Sequence, residues 1–304
     1  MEVEYFETQP EDSRLVTLPI PANRLGLYKY WDDAKRCFWI SSEISMTKDI
    51  EHFECRLNNK ERHYISRVLA FFSVSDGLIN VNMVSIKDRL PMLEAKYFCD
   101  FQIMMENEHA LTYSLQVQAL IKDAKEREWL LDSVKNIPTI AKMANFMSSC
   151  ADPNIPLGEQ LLRNACSEGL LLASGFVSIY RLSDKGLMPG LAHANELIAR
   201  DEALHTMFAL YVYTLLKPEH KLPRERVYDI FRAAVDIAKD FNEEALGGGL
   251  SGLNIESMGN YLECSADNMV TLIDLPPIYG SKNTLHFMER INLTNRTNFF
   301  ERRV

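Results

Sequence analysis

Along four long segments of the sequence, apolar side chains recur at steps of three and four, the spacing that puts them on one face of an α-helix, and an acid interrupts each face. Over 59–89 the stripe reads Ile65, Leu69, Phe72, Asp76, Ile79, Met83. Over 92–122 it reads Phe98, Glu106, His109, Tyr113, Val117, Leu120, and over 158–182 Leu161, Ala165, Glu168, Leu172, Phe176, Ile179. The fourth, from Gly186 to Leu210 and on to Val212, reads Leu191, Ala194, Ile198, Glu202, His205, Ala209, Val212. Shorter helical segments are expected at 27–36, 125–133, 138–150, 224–245 and 253–269, with Asn58 or Asn59 as N-cap of the first long helix and Glu61 in its first turn. Prolines punctuate the sequence between these segments, and no convincing run alternates in the manner of a strand. The spacing therefore predicts an all-α fold preceded by an extended arm over residues 1–27.

A carboxylate on a core face needs a partner, because burying it alone costs several kcal/mol. Of the seven histidines only His109 and His205 follow a glutamate by three residues, and both lie on core stripes. On a helix that offset is about 4.5 Å of rise and 60° of rotation, so Glu106 with His109, and Glu202 with His205, can each reach one point. Thirty residues separate Asp76 from Glu106 and thirty-four separate Glu168 from Glu202, which suits two helical hairpins, each giving one acid and one Glu-x-x-His. This is the ligand set known from di-iron and di-manganese carboxylate bundles, with Asp76 in place of one of their four glutamates. Four carboxylates suit two hard cations, and two neutral imidazoles add a borderline nitrogen to each. A structural zinc site would favour cysteine, and no sulfur belongs to this set.

Composition narrows the reading further. With 304 residues, 47% of them apolar, there is enough material to bury a large core. A formal charge of −9 with scattered Lys and Arg argues against nucleic acid as the main partner. The acidic opening MEVEYFETQPED is unlike a signal peptide, and the apolar stretch at Gly169 to Tyr180 is too short for a membrane span, so a cytoplasmic protein that crosses no membrane is expected. Cysteines 37, 55, 99, 150, 166 and 264 form no C-x-x-C pair and read as reduced, mostly core thiols.

Beyond the ligand pattern, several stretches carry a closer likeness: Phe38-Trp39, Ser75-Asp76-Gly77, Met105-Glu106-Asn107 with His109 and Tyr113, Glu168-Gly169, Gly186-Leu187-Met188-Pro189-Gly190-Leu191, Asn195-Glu196-Leu197-Ile198, Arg200-Asp201-Glu202 with His205, and Thr297-Asn298-Phe299-Phe300-Glu301. In these the sequence resembles the small, radical-generating subunit of class I ribonucleotide reductase, of the eukaryotic and large-DNA-virus type. The resemblance implies a ferritin-like di-metal bundle over 28–290 and the start of a C-terminal tail at 291–304. It implies that Asp76, Glu106 and His109 bind one iron of an oxo-bridged pair and Glu168, Glu202 and His205 the other, with manganese an alternative the ligands equally suit. Tyr113, one turn beyond His109, corresponds to the tyrosine oxidised to a stable radical, and helical spacing sets Leu172, Phe176 and Ile198 to wall it in. Trp39 corresponds to a relay residue connected through Asp201 to His109, although Asp201 also suits an ion pair with Arg200. Implied partners are O₂, a second copy of the protein, and a large catalytic subunit that reduces ribonucleotides for DNA replication; in a virus the setting would be the host cytoplasm.

Three features depart from the family pattern. Relatives often have Phe where Leu172 stands; they commonly have Glu two residues after the Asn of the Asp-Gly helix, whereas here Asn80 is followed by Val81; and they continue past Phe300-Glu301 into a tail bearing a radical-path tyrosine and docking residues, which this sequence, ending at Val304, does not let us name. Three rivals use related features: an iron-storage bundle, which rarely needs this length or a Trp–Asp relay; a di-iron oxygenase or desaturase, against which Tyr113 argues; and a metal-free scaffold, which would keep its six ligands only by coincidence.

Overall fold

Asn58 starts the longest helix by closing a reciprocal cap. Its side chain accepts the N–H groups of Lys60 and Glu61 at 2.9 and 3.0 Å, and the Glu61 carboxylate accepts the Asn58 N–H at 3.0 Å. Such a cap stabilises a helix by about 1 kcal/mol. The computed structural model describes residues 4–7, 14–152, 154–246 and 253–285, and the expected tail with its Asn298-Phe299-Phe300-Glu301 motif lies outside them.

From that cap α3 runs Asn59–Asp88 and turns at Arg89 into α4, Leu93–Leu120, which packs back along it. The second pair is built from α8 (Leu157–Cys166), a π-helical turn at Ser167–Leu171 and α9 (Ala173–Asp184), against which α10 (Pro189–Thr214) returns. Around these lie α1 (Leu25–Arg36) on α4, α2 (Thr47–Glu51) on the start of α10, and the short α5 (Ala124–Leu131) and α6 (Ser133–Asn136) on α3. The outer helices α7 (Pro138–Ser148), α11 (Arg224–Leu246) and α12 (Ile255–Thr271) cover the far side. Among the described residues there is no strand, and all four stripes are buried along their length. The fold is the all-α bundle expected.

Two local features depart from the expected elements. The segment between Ile44 and Asn58, without expected structure, forms α2 and a π-helical turn at His52–Arg56. Its helical pattern is too short to register as periodicity. The segment 158–182, expected as one helix, is broken by the π turn that carries Glu168. Nearly every side chain from Leu157 to Ile179 is buried, polar ones such as Gln160, Asn164 and Ser174 included, so a change of helical phase moves no stripe residue into solvent and leaves no trace in the spacing.

By length and composition α3 would also pass for a membrane span, but the face it offers is the one the bundle core uses. Near the N-terminus Phe6 is buried and the Lys217 N–H donates to the Tyr5 carbonyl at 3.0 Å, tying that stretch to the body. The cysteines are free; Cys37, Cys99, Cys150 and Cys166 are core thiols as expected, Cys264 is half-buried, and Cys55 is exposed.

Candidate metal centre

Asp76 from α3, Glu106 and His109 from α4, Glu168 from the π turn, and Glu202 and His205 from α10 meet in the middle of the bundle, none more than 2% exposed. Ligand atoms of Asp76, Glu106 and His109 lie within 4.8 Å of one another, and so do those of Glu106, Glu168, Glu202 and His205. Glu106 thus belongs to both groups. Its Oε1 is 3.1 Å from His205 Nδ1 and its Oε2 is 3.4 Å from His109 Nδ1, while Glu202 Oε1 is 3.1 Å from His109 Nδ1. Both imidazoles therefore turn Nδ1 inward, toward the Glu106 and Glu202 carboxylates.

The donor set fits a pair of cations by what it leaves unpaired. Asp76 Oδ2, Glu106 Oε2, Glu168 Oε2, both Glu202 oxygens and Nδ1 of His109 and His205 are buried atoms without hydrogen-bond partners. Buried polar atoms are almost always paired, so a cluster of orphans aimed at one place asks for positive charge there. In the metal-free protein protons play that part. Burial, then the nearby Glu106 charge, drives the Asp76 carboxyl well above its usual range, and burial does the same to Glu168. Burial works against the His109 and His205 cations, but the carboxylates of Asp201, Glu106 and Glu202 beside His109, and of Glu106 and Glu202 beside His205, outweigh it. His205 rises to about 10 and His109 well above its usual value. Burial also opposes the Glu106 charge, yet the two imidazoles hold it down to about 2.

Three residues support the ligands in a way the stripes do not predict. Gln102 Nε2 donates to Glu168 Oε1 at 2.8 Å and to Glu106 Oε1 at 3.3 Å, Asn164 Nδ2 donates to Glu168 Oε1 at 2.8 Å, and Ser75 Oγ donates to Asp76 Oδ1 at 2.9 Å. For Asp76 and Glu168 the oxygen held is the one turned away from the orphan. A signal for two of them is available in the sequence: Gln102 and Asn164 each stand one helical turn before the glutamate they hold, on the same core face.

Tyr113 lies beyond His109 on α4, 2% exposed, with its hydroxyl unpaired. Burial first, then the charges of Asp76, Glu202 and Glu106, push its phenol well above the usual value. The expected wall residues Leu172, Phe176 and Ile198 are all buried in the same core. Phe72 joins them: its ring centroid is 4.7 Å from that of Tyr113 and 5.2 Å from that of Phe176. In the sequence it is legible only as a stripe residue. A Cβ on Gly175 would come within 2.3 Å of the Phe72 ring, so the bare glycine is what lets that ring sit there.

Trp39 is buried more deeply than its sequence context suggests, at 2% exposed. Its Nε1–H donates to Asp201 Oδ2 at 2.7 Å; the same oxygen is 3.3 Å from His109 Nε2, and the indole stacks on the His109 ring with centroids 5.7 Å apart. Asp201 Oδ1 accepts from Arg200 Nε at 3.1 Å. The connection to His109 and the ion pair with Arg200 are therefore both present, one on each oxygen.

Comparison with known proteins places this centre in a family. A ribonucleoside-diphosphate reductase small subunit of Arabidopsis thaliana is 39% identical over 98% of this protein and 91% of its own length. The corresponding small subunit of Encephalitozoon cuniculi is 38% identical over 97% and 89%. Among solved structures, the ribonucleotide reductase Rnr4 homodimer from Saccharomyces cerevisiae superposes with a TM-score of 0.82 at 29% identity, covering 95% of this protein and 90% of its own length. Residues 18–284 match the family described as "Ribonucleotide reductase, small chain", and the protein, with a carboxylate–imidazole cluster at the centre of a helical bundle, belongs to that family.

Proposed function

We propose that this small subunit of ribonucleoside-diphosphate reductase holds two iron ions on Asp76, Glu106, His109, Glu168, Glu202 and His205, and that Tyr113 is the residue oxidised to a radical for use by a large catalytic subunit. The observation that carries the reading is the set of orphaned oxygens and nitrogens converging from four helical segments beside a tyrosine sealed from water. When bound, the metal pair supplies electrons and Lewis acidity for the activation of O₂. The protein does the rest. Gln102, Asn164 and Ser75 orient the carboxylates, and Asp201 accepts the His109 Nε2–H, which leaves Nδ1 free to ligate. Because the Tyr113 hydroxyl is buried with no hydrogen-bond partner, a phenolate would be left unsolvated, and the Oη proton would leave together with the electron, O₂ being the acceptor of both. Phe72, Phe176, Leu172 and Ile198 then exclude water and reductants from the oxidised ring. Trp39, hydrogen-bonded and stacked toward His109, is the conduit for electrons entering the site.

The test is low-temperature electron paramagnetic resonance after adding Fe(II) and then O₂ to the purified protein. A tyrosyl signal that disappears in Tyr113→Phe, with metal content unchanged, is the expected result. A signal that survives the substitution would remove Tyr113 from the scheme. Metal bound without any radical would favour an oxygenase, and a radical formed only with manganese would replace iron.

For the homodimer we propose the outer face of the α3–α4 hairpin. Val81 and Val84 on α3 and Met104, Leu111 and Leu115 on α4 are each between 37% and 57% exposed, and Asn80 and Asn107 hydrogen-bond across the hairpin at 3.1 Å in the same region. An apolar stripe of that length suits a second copy of itself. Sedimentation of Leu111→Glu is expected to give a monomer where the parent gives a dimer; a dimer in both would move the interface elsewhere.

A further inference from the structure

The start of α10 is closed by a residue from far away in the sequence. Its own N-cap residue, Met188, offers no side-chain acceptor and sits in the left-handed region at φ 53°. The cap comes instead from α2. Asp49, wholly buried, accepts the Gly190 N–H on Oδ2 and the Leu191 N–H on Oδ1, both at 2.8 Å, and His52 Nδ1 accepts the Met188 N–H at 3.0 Å. Pro189 has no N–H to satisfy, and from Ala192, whose N–H reaches the Met188 carbonyl at 2.8 Å, the helical ladder takes over. Every donor of the first turn is thus accounted for, two of them by one carboxylate placed against the positive end of the helix. The approach is close: a Cβ on Gly190 would lie 2.1 Å from the Ser45 carbonyl oxygen, so only glycine admits the α2 segment at this distance.

The strap that brings Asp49 also brings Trp39. Ten residues apart, they engage the same helix at two levels: Asp49 at Gly190 and Leu191, Trp39 at Asp201, eleven residues or about 16 Å further along the axis. Beside the second attachment the Arg200 guanidinium donates to the Cys37 carbonyl. A hydrogen bond between Trp39 and Asp201 tolerates a few tenths of an ångström, whereas one residue of slip along a helix is about 1.5 Å and 100°. The upper attachment therefore fixes the register in which the lower one can close.

We infer that Asp49, assisted by His52, is a positioning residue that locks the Trp39 strap to α10 and so sets the Trp39–Asp201–His109 connection. The tethering is a property of the metal-free protein; only the relay role of that connection rests on the function proposed above. The test uses the full-length protein with Trp31→Phe and Trp129→Phe, which leaves Trp39 as the one indole, labelled at its ring nitrogen for nuclear magnetic resonance. In that background Asp49→Ala is expected to speed exchange of the Trp39 indole N–H by at least about tenfold relative to Asn58→Ala, a lost cap elsewhere that controls for general loosening. Asp49→Asn, which keeps the volume and one acceptor, is expected to fall between, and it carries the same comparison if the alanine variant does not fold. Indole exchange no faster than in the Asn58→Ala control would overturn the inference, whatever the fate of the Tyr113 radical. Faster exchange in the variant, where the parent protein itself forms no radical, would keep the tether and discard the relay.

Discussion

Adding Mn(II), which stands in for Fe(II) without air oxidation, is expected to raise the melting temperature of the metal-free protein by about 4 °C per site at a hundredfold excess over Kd. The gain comes from replacing an arrangement in which protons hold four carboxylates together with one in which two divalent ions do. It should be lost in Glu202→Ala and in His205→Ala, since each removes a ligand whose atoms are otherwise orphaned. The pH dependence gives the test its sharper edge. Asp76, Glu168, His109 and His205 all hold protons more tightly folded than unfolded, so the metal-free protein loses stability as pH rises. For His205 the loss extends from its usual value of 6.5 to about 10. Glu106 acts in the opposite sense, its contribution disappearing only as pH falls from 4.5 to about 2. Metal displaces these protons, so the thermal shift should be larger at pH 8.5 than at pH 6.5. Equal shifts at both would mean that metal does not compete with protons at these side chains.

The second large effect is expected at Asp201. In Asp201→Asn one of the two oxygens becomes an N–H₂ group. The residue can then no longer accept from both Trp39 and His109 on one side while accepting from Arg200 on the other. Loss of a partner behind a metal-bound histidine typically costs about 10–100-fold in affinity or activity. Freeze-quenched radical formation should slow by that order, and metal affinity should fall with it because His109 is no longer oriented. Trp39→Phe separates the two contributions: it should slow radical formation comparably while leaving metal affinity within about twofold, since the phenyl ring can still cover His109 and Asp201 keeps its hold on the imidazole. A Trp39→Phe protein that assembles its radical at the parental rate would remove the indole from the electron route.

How much of this is legible in the sequence depends on whether periodicity can speak. On α3, α4 and α10 apolar residues recur at steps of three and four for several turns, and an acid or imidazole that falls on that spacing is conspicuous. Asp76, Glu106, His109, Glu202 and His205 therefore declare themselves by position. Glu168 is found by the same argument, but the π turn beneath it is not, because stripe positions on both sides of it, Leu161 and Ala165 before and Leu172 and Phe176 after, are all buried and the spacing gives no sign of the extra residue. Gln102 and Asn164 escape notice because carboxamides are ordinary in a helix until a carboxylate is known to lie one turn on. Asp49 is beyond reach for a different reason: its partners are 141 and 142 residues away, and no local pattern reports a cap supplied across the fold. The roles of Tyr113 and Trp39 come from resemblance, since an isolated buried aromatic has no chemistry that spacing alone reveals.

The π turn at Ser167–Leu171 also governs where the sequence tolerates a change of length. Upstream of it Asn164 must meet Glu168, and downstream Phe176 must meet the Phe72 ring that lies against Tyr113. One residue more or fewer rotates one set against the other by about 100°. An insertion or deletion there cannot be absorbed as it would be in a surface loop, and the spacing from Asn164 to Phe176 is as much a part of the active centre as the side chains it separates.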